Sequence, residues 1–206
     1  MEVPAFVADA AAHAARRGPV TVALELPDEL QPGIDAFAAA ADDERGRVAL
    51  LATPALFWEW RDGRGGDGLV QLLSRLRSIA ARVVCIDGVW PSAEARDVGM
   101  ARSLLAALRP PDATLVVCGN LHARTDSPRW MGWHVRRSRP DVVVLDLGHA
   151  GGSAYGASGD GEGVHEHAAR WQGPPGVSLF AERHPHGWDG AFFVGRISPS
   201  LPLVRR

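Results

Sequence analysis

The sequence predicts an α/β fold in one domain spanning residues 1–206, with a mostly parallel central sheet flanked by helices and a candidate antiparallel C-terminal strand. Three observations predict it. Four short apolar runs, at residues 20–24, 83–86, 115–118 and 142–145, lack the polar alternation of a half-exposed strand. Such runs mark strands buried on both faces, as in a parallel sheet covered by helices. Between them lie segments whose apolar residues recur at helical spacing, so helix and strand alternate as in βαβ units. A length of 206 residues suffices for one sizeable core and argues against two.

Val3, Phe6, Val7, Ala10, Ala11 and Ala14 place an amphipathic helix at the start. Gly18-Pro19 ends it, and the 20–24 strand follows. In a doubly wound sheet an opening helix ordinarily returns from an earlier strand, and none precedes this one. Residues 34–41 and 47–60 read as two helical pieces around the charged break 42–46, and the glycine-rich stretch 61–68 reads as a loop. Leu69, Leu72, Leu73, Leu76 and Ile79 form the next helix, feeding strand 83–86. Val98, Ala101, Leu104, Leu105 and Leu108 form another, stopped by Pro110-Pro111 before strand 115–118. Beyond Asp146, residues 148–163 read as a glycine-rich loop, 164–171 as a short helix, and 192–197 as a last strand before a proline-spaced tail.

The apolar runs stop at chemically capable residues: Glu25, Asp87, Gly119-Asn120-Leu121-His122 and Asp146. Open sheets of this kind bind ligands outside the carboxyl ends of their strands, so these residues mark the rim where function is sought. Glu25 suits a general base or a metal ligand, and equally a structural carboxylate. Strand-end acids are common, so Asp87 and Asp146 are each weak signals. Gly119 to His122 is sharper, because glycine permits a tight strand exit and sets an imidazole over the rim. Arg96, near a predicted helix start, can fork onto an anionic or carbonyl oxygen, or pair with a rim acid such as Asp87. His165-Glu166-His167 and His184-Pro185-His186 lack the i, i+4 spacing of a helical metal site and read as surface histidines.

Composition narrows the function classes. Hydrophobic content of 46%, charged content of 22% and a net charge of −2 indicate a globular chain with no nucleic-acid footprint. All 22 basic residues are arginine, which excludes Schiff-base and P-loop mechanisms that need lysine. Cys85 and Cys118 lie in or beside buried runs and read as core hydrophobes. No segment approaches the ~18 apolar residues of a membrane span, and the start does not resemble a signal peptide, so a cytoplasmic location is expected.

The same residues carry a resemblance. Val22-Ala23-Leu24-Glu25, Arg61-Asp62-Gly63-Arg64, the stretch from Arg96-Asp97 through Met100-Ala101, and Gly119-Asn120-Leu121-His122-Ala123 resemble segments of the superfamily of erythromycin esterases, haem-binding ChaN-like proteins and TraB/Tiki metalloproteases. Gly151-Gly152-Ser153-Ala154-Tyr155 and Val194-Gly195-Arg196-Ile197-Ser198 look like a ChaN-like bacterial subgroup. Members typically carry two Gly-x-x-His motifs and glutamates around one cleft. His122 matches the second motif and Glu25 the glutamate. The first motif would sit on a strand before the opening helix, and Met1-Glu2-Val3-Pro4 looks like the stretch just after it. Either the start codon is assigned late, by ~20 to 40 residues for one strand and its turn, or the motif has been lost.

The resemblance implies a hydrolase acting on an ester, lactone or peptide bond. Glu25 and His122 would be acid/base groups or ligands of a divalent metal, Asp87 would share the catalytic cleft, and Arg96 would stabilise negative charge. Asn120, Arg61, Asp62 and Arg64 would bind substrate. The alternatives are a haem- or small-ligand-binding protein, with His122 an axial ligand, and a tailoring enzyme of natural-product or peptide biosynthesis. Expected partners are a small-molecule or peptide substrate and a second copy of the chain, with neither nucleic acid nor membrane.

Overall fold

A computed structural model describes residues 2–53, 56–59, 63–158, 161–171 and 173–203. Helix α1 (Glu2–Ala15) leads through a turn into β1 (Val20–Pro27). Then come α2 (Gln31–Ala39), α3 (Asp43–Ala52), α4 (Asp67–Ser78), β2 (Arg82–Asp87), α5 (Ala93–Ala107), β3 (Ala113–Val117) and α6 (Met131–Ser138). Strands β4 (Leu145–Gly148), β5 (Gly152–Ser158), β6 (Gly161–His167), β7 (Gly176–Leu179) and β8 (Gly190–Phe193) complete the order.

The first three strands form a parallel sheet in the order β2-β1-β3. Strand β1 lies in its middle. Because side chains alternate across a strand, Val20, Val22, Leu24 and Leu26 join the core built with α1, α2 and α4. Ala23 faces the opposite core, formed with Ile86 and with Met100, Leu104, Met131 and Val135 of α5 and α6. Strand β1 is thus covered on both faces, as its uninterrupted apolar run requires, whereas β3, at the edge of the sheet, is half-buried to exposed along its length and does not meet the expectation of a strand buried on both faces. Truncating a fully buried side chain such as Leu76 or Met100 would cost about 2–5 kcal/mol.

The second half of the chain departs from expectation. Residues 142–144 do not extend β4, because Val144 donates its amide to Asp189 Oδ2 and accepts the Asp189 amide through its carbonyl. Strand β4 therefore begins three residues late, in a second sheet ordered β4-β8-β7. The stretch expected as loop and short helix is instead the antiparallel hairpin β5-β6; its many glycines mask the strand pattern. Strand β7 was not expected, and the last strand lies at Gly190–Phe193 rather than 192–197, antiparallel to β7 but parallel to β4. Helix α6 was also unforeseen.

In the first half the charged break at 42–46 is the first turn of α3. Asp42 caps it by accepting the Arg45 amide at 2.8 Å, and Asp43 and Glu44 are favourable at the positive end of the helix dipole. Helix α3 ends at Ala52, short of the expected residue 60, which lies outside the described residues. Among the described residues no helix is long and apolar enough to cross a membrane.

Candidate functional site

Parallel pairing brings the carboxyl ends of β2, β1 and β3 side by side, with Leu24 opposite both Cys85 and Val117 and Pro27 opposite Asp87. Glu25 follows Leu24 and shares the strand face of Ala23, which directs it toward α5. Helix α5 is started by Ser92, whose hydroxyl accepts the Ala95 amide, and its first turns bring Arg96 over the rim. The turn after β3 brings His122.

Arg96 is the hub. Its Nε donates to Asp87 Oδ1 at 2.9 Å and its Nη2 to Asp87 Oδ2 at 2.5 Å, the bidentate fork that guanidinium and carboxylate geometry favours. Nη2 also reaches Glu25 Oε1 at 2.7 Å, and Nη1 lies 3.2 Å from His122 Nε2. Arg64 donates to the Glu25 carbonyl at 2.9 Å and approaches Glu25 Oε1 at 3.4 Å and Asp87 Oδ2 at 3.5 Å. The second oxygen of Glu25 accepts the Gly119 amide at 2.6 Å.

His122 is held from behind. Its Nδ1 is 2.9 Å from Asp97 Oδ1, an oxygen that also accepts the Met131 amide at 2.7 Å. Its carbonyl accepts the Gly132 amide at 2.8 Å. Arginine only donates, so the Arg96 contact assigns the lone pair to Nε2 and the proton to Nδ1, facing Asp97. This is the tautomer a general base needs. Nε2 then points toward the cleft, 3.6 Å from Glu25 Oε1.

Electrostatics reinforce the arrangement. Burial opposes the charged form of Asp87, but hydrogen bonds from Arg96 and Gly88 and the positive charges of Arg96 and Arg64 hold its carboxyl below the usual range. Burial likewise opposes protonation of His122. The Asp97 hydrogen bond and the Glu25 and Asp97 charges outweigh that and the repulsion from Arg96, so its pKa lies above the ordinary 6.5. Burial pushes the Cys85 thiol up to about 12. Burial and the charges of Glu25 and Asp97 also push the Cys118 thiol up. Neither cysteine is set up as a nucleophile.

Glu25, Asp87, Arg96 and His122, singled out from sequence, thus meet in one cluster, and Arg64 joins them. Arg96 spends its fork on Asp87, the ion-pair reading, and keeps Nη1 for the imidazole. Arg61 and Asp62 lie outside the described residues. Asn120 stands exposed at the rim, lining two adjoining cavities. Asp146 does not join the cluster: it is buried in β4 and accepts Arg170 and Trp171. The expected need for glycine at the strand exit is not met: Gly119 is not among the glycines in the left-handed region, and an added Cβ would sit in ordinary contact, 3.4 Å from Glu25 Oε2.

Sequence reading missed Asp97, although it adjoins Arg96. Successive helix positions diverge by about 100°, which turns one side chain to the cleft and the other into the interior. The histidine pairs also differ from expectation. His165 and His167 lie on a strand, not a helix, and His184 stacks on Trp188 with ring centroids 4.8 Å apart.

The donor set does not fit the metal or haem that the resemblance implies. Both Glu25 oxygens and both His122 nitrogens already face protein partners, and two guanidiniums lie where a dication would have to approach. No group of three or more His, Cys, Asp or Glu side chains suited to a metal occurs among the described residues. For haem, Arg96 Nη1 occupies the direction of ligation from His122 Nε2.

No protein-family model and no curated protein matches the chain. One solved structure, described as "Bacterial protein toxins", is similar over 81% of this chain with 15% identity and a TM-score of 0.49. The chain spans 33% of that structure's length.

Proposed function

We propose that this protein is a metal-independent hydrolase of an ester, lactone or peptide bond, with His122 as general base and Asp97 as the residue that orients it. The observation that supports the reading most is the chain from Asp97 Oδ1 through the His122 ring to a cleft-facing Nε2 bordered by Arg96 and Glu25. A buried carboxylate behind an imidazole fixes the tautomer and stabilises the imidazolium that forms when the ring takes a proton.

In the proposed reaction the substrate carbonyl oxygen takes over the Arg96 Nη1 donor that rests on Nε2; the freed lone pair removes a proton from water, and the resulting hydroxide bonds to the carbonyl carbon. The carbonyl oxygen becomes an oxyanion beside Arg96, whose positive charge stabilises it. Collapse of that intermediate breaks the acyl C–O or C–N bond, and the imidazolium returns its proton to the leaving alcohol or amine. Asp87 positions Arg96 by its two-point grip. Glu25 orients Arg96 and, through the Gly119 amide, the turn that carries His122. The resemblance to the erythromycin esterase, ChaN-like and Tiki superfamily points to the same bond class. We take the two free cysteines and the absence of a spanning helix among the described residues as support for a cytoplasmic protein acting on a small molecule or peptide.

The test is a panel of activated acyl esters, lactones and short peptides. Turnover is expected for at least one class, with a loss of ~100-fold or more in His122→Ala while that variant still folds. Full activity in His122→Ala would remove it from the mechanism.

A further inference from the structure

The turn that carries His122 also walls a second cavity, of about 260 Å³, completed by Arg170 and Trp171 beyond β6 and by the loop that leads into β8. That is smaller than the ~300–1,000 Å³ that takes a whole small ligand, so the space is sized for one end of a substrate. Its lining donates far more than it accepts. Arg124 and Arg170 both border it, and no carboxylate lines it among the described residues. Each guanidinium spends Nε and Nη2 on one aspartate, Arg124 on Asp126 at 3.1 and 2.5 Å and Arg170 on Asp146 at 3.1 and 2.7 Å. Nη1 of each stands outside that grip with its own N–H donors. His184 Nδ1 accepts the His186 amide at 3.2 Å, which leaves the ring proton on Nε2, a further donor. Trp188 is buried, and its indole N–H has no acceptor among the described residues.

The two arginines belong to one fixed array. Asp126, which holds Arg124, lies 3.6 Å from His186 Nδ1, the His186 and Trp188 rings meet at 5.1 Å, and Arg170 lies over Trp188 at 5.4 Å. Trp171 donates through Nε1 to the same Asp146 oxygen that holds Arg170, at 2.5 Å, and keeps a left-handed backbone, φ 50°, that a bulky residue adopts only under strain. Donors held in place in this way lose little freedom when a ligand arrives.

We infer that this cavity binds a carboxylate on an apolar stem, the end of a substrate whose scissile bond lies at His122. The two arginines and their two aspartates balance in charge, so a single negative charge is matched by the open donors, whereas a dianion such as phosphate would add its second charge beside Asp126 and Asp146. Leu121, 50% exposed, and Trp171 give the stem an apolar wall. Asn120 and Leu121 line the cavity and immediately precede His122, within ~8 Å of chain. The substrate class is then an acyl compound or short peptide with a free carboxylate. That the bound end belongs to a hydrolysed molecule rests on the hydrolytic reading above; carboxylate binding rests on the cavity alone.

The probe is phenylpropanoate, which has no bond to hydrolyse, titrated into the full chain while the indole N–H resonances of Trp171 and Trp188 are followed. Saturable shifts at both are expected, with phenylpropanol, the neutral counterpart, binding ~10-fold more weakly or worse. Arg124→Gln and Arg170→Gln should each weaken the carboxylate ~10-fold or more. Arg139→Gln, which removes a similar fork on Asp141 outside the cavity, should leave binding unchanged. Arg170 is the partner of buried Asp146, so Arg124→Gln decides the matter if Arg170→Gln fails to fold. No saturable shift, equal binding of the alcohol, undiminished binding in Arg124→Gln, or tighter binding of phenylethyl phosphate would overturn the inference. Because binding is read without turnover, a chain that binds the carboxylate as described but hydrolyses nothing would sink the hydrolytic reading alone. Hydrolysis indifferent to a carboxylate on the substrate would sink the subsite alone.

Discussion

Asp97 and His122 are joined by a 2.9 Å hydrogen bond, and the carboxylate oxygen that makes it also accepts the Met131 amide at 2.7 Å. A single oxygen atom therefore orients the imidazole and anchors the start of α6. In Asp97→Asn an acceptor remains but the charge is gone. His122 should then titrate at lower pH, because part of what raises its pKa is the Asp97 carboxylate. Turnover should fall by at least about tenfold. Proton NMR of the imidazole and kcat on one substrate check both; an unchanged titration would separate Asp97 from the base.

Stability should carry the signature of the same pair. His122 has a folded pKa above its ordinary 6.5, so its contribution is complete below about pH 6.5 and is lost as pH rises through the raised folded value. Asp87 has the opposite sign. Its folded pKa lies below the ordinary 3.8, so its contribution is present above that value and is lost as pH falls through the folded one. Denaturant midpoints across pH should decline on the alkaline side, and His122→Gln should flatten that limb. An identical alkaline decline in His122→Gln would assign it to another group.

The Arg96 fork on Asp87 predicts strong coupling. Arg96→Ala leaves the buried Asp87 carboxylate with Arg64 at 3.5 Å as its remaining cationic neighbour and should cost about 2 kcal/mol. Removing Asp87 as well should restore part of that, with a coupling of roughly 0.5–3 kcal/mol in a double-mutant cycle. Strict additivity would show that the fork contributes no net stability.

What the sequence made legible follows from where the information is local. Glu25, Asp87 and His122 could be placed because an apolar run ends just before each, and parallel strands bring such ends together. Arg96 could be placed because a helix start lies above that rim. Asp97 could not, since its role depends on α6 packing near enough for Met131 to share its oxygen, a contact made 34 residues along the chain. Val142 to Val144 have strand composition, but Val144 is held by Asp189, a partner that no local pattern announces. The β5-β6 hairpin is rich in glycine and poor in large apolar side chains, so it lacks the apolar alternation by which strands are recognised.

Gly132 offers a structural test of how His122 is held. A Cβ there would lie 2.3 Å from the Ala123 carbonyl oxygen and 2.7 Å from that of Arg124, so backbone would have to move. Gly132→Ala should destabilise the protein by about 1–3 kcal/mol and weaken the amide bond to His122 O. By contrast Gly119→Ala, meeting only ordinary contacts, should unfold within about 1 kcal/mol of the native chain. Thermal melts of the two variants rank them; the reverse order would contradict the packing at this turn.

The most direct measurement is the pH dependence of kcat/KM for whichever acyl substrate is turned over fastest, compared between the native chain and Asp97→Asn after prolonged chelation. A base at His122 predicts activity rising with pH through one ionisation above about 6.5, undiminished by chelator, with that ionisation moved to lower pH and the plateau reduced in Asp97→Asn. A profile that is flat through this region, or one that loses its activity to chelation and recovers it with a divalent metal, would contradict the account of an Asp97-oriented His122 base.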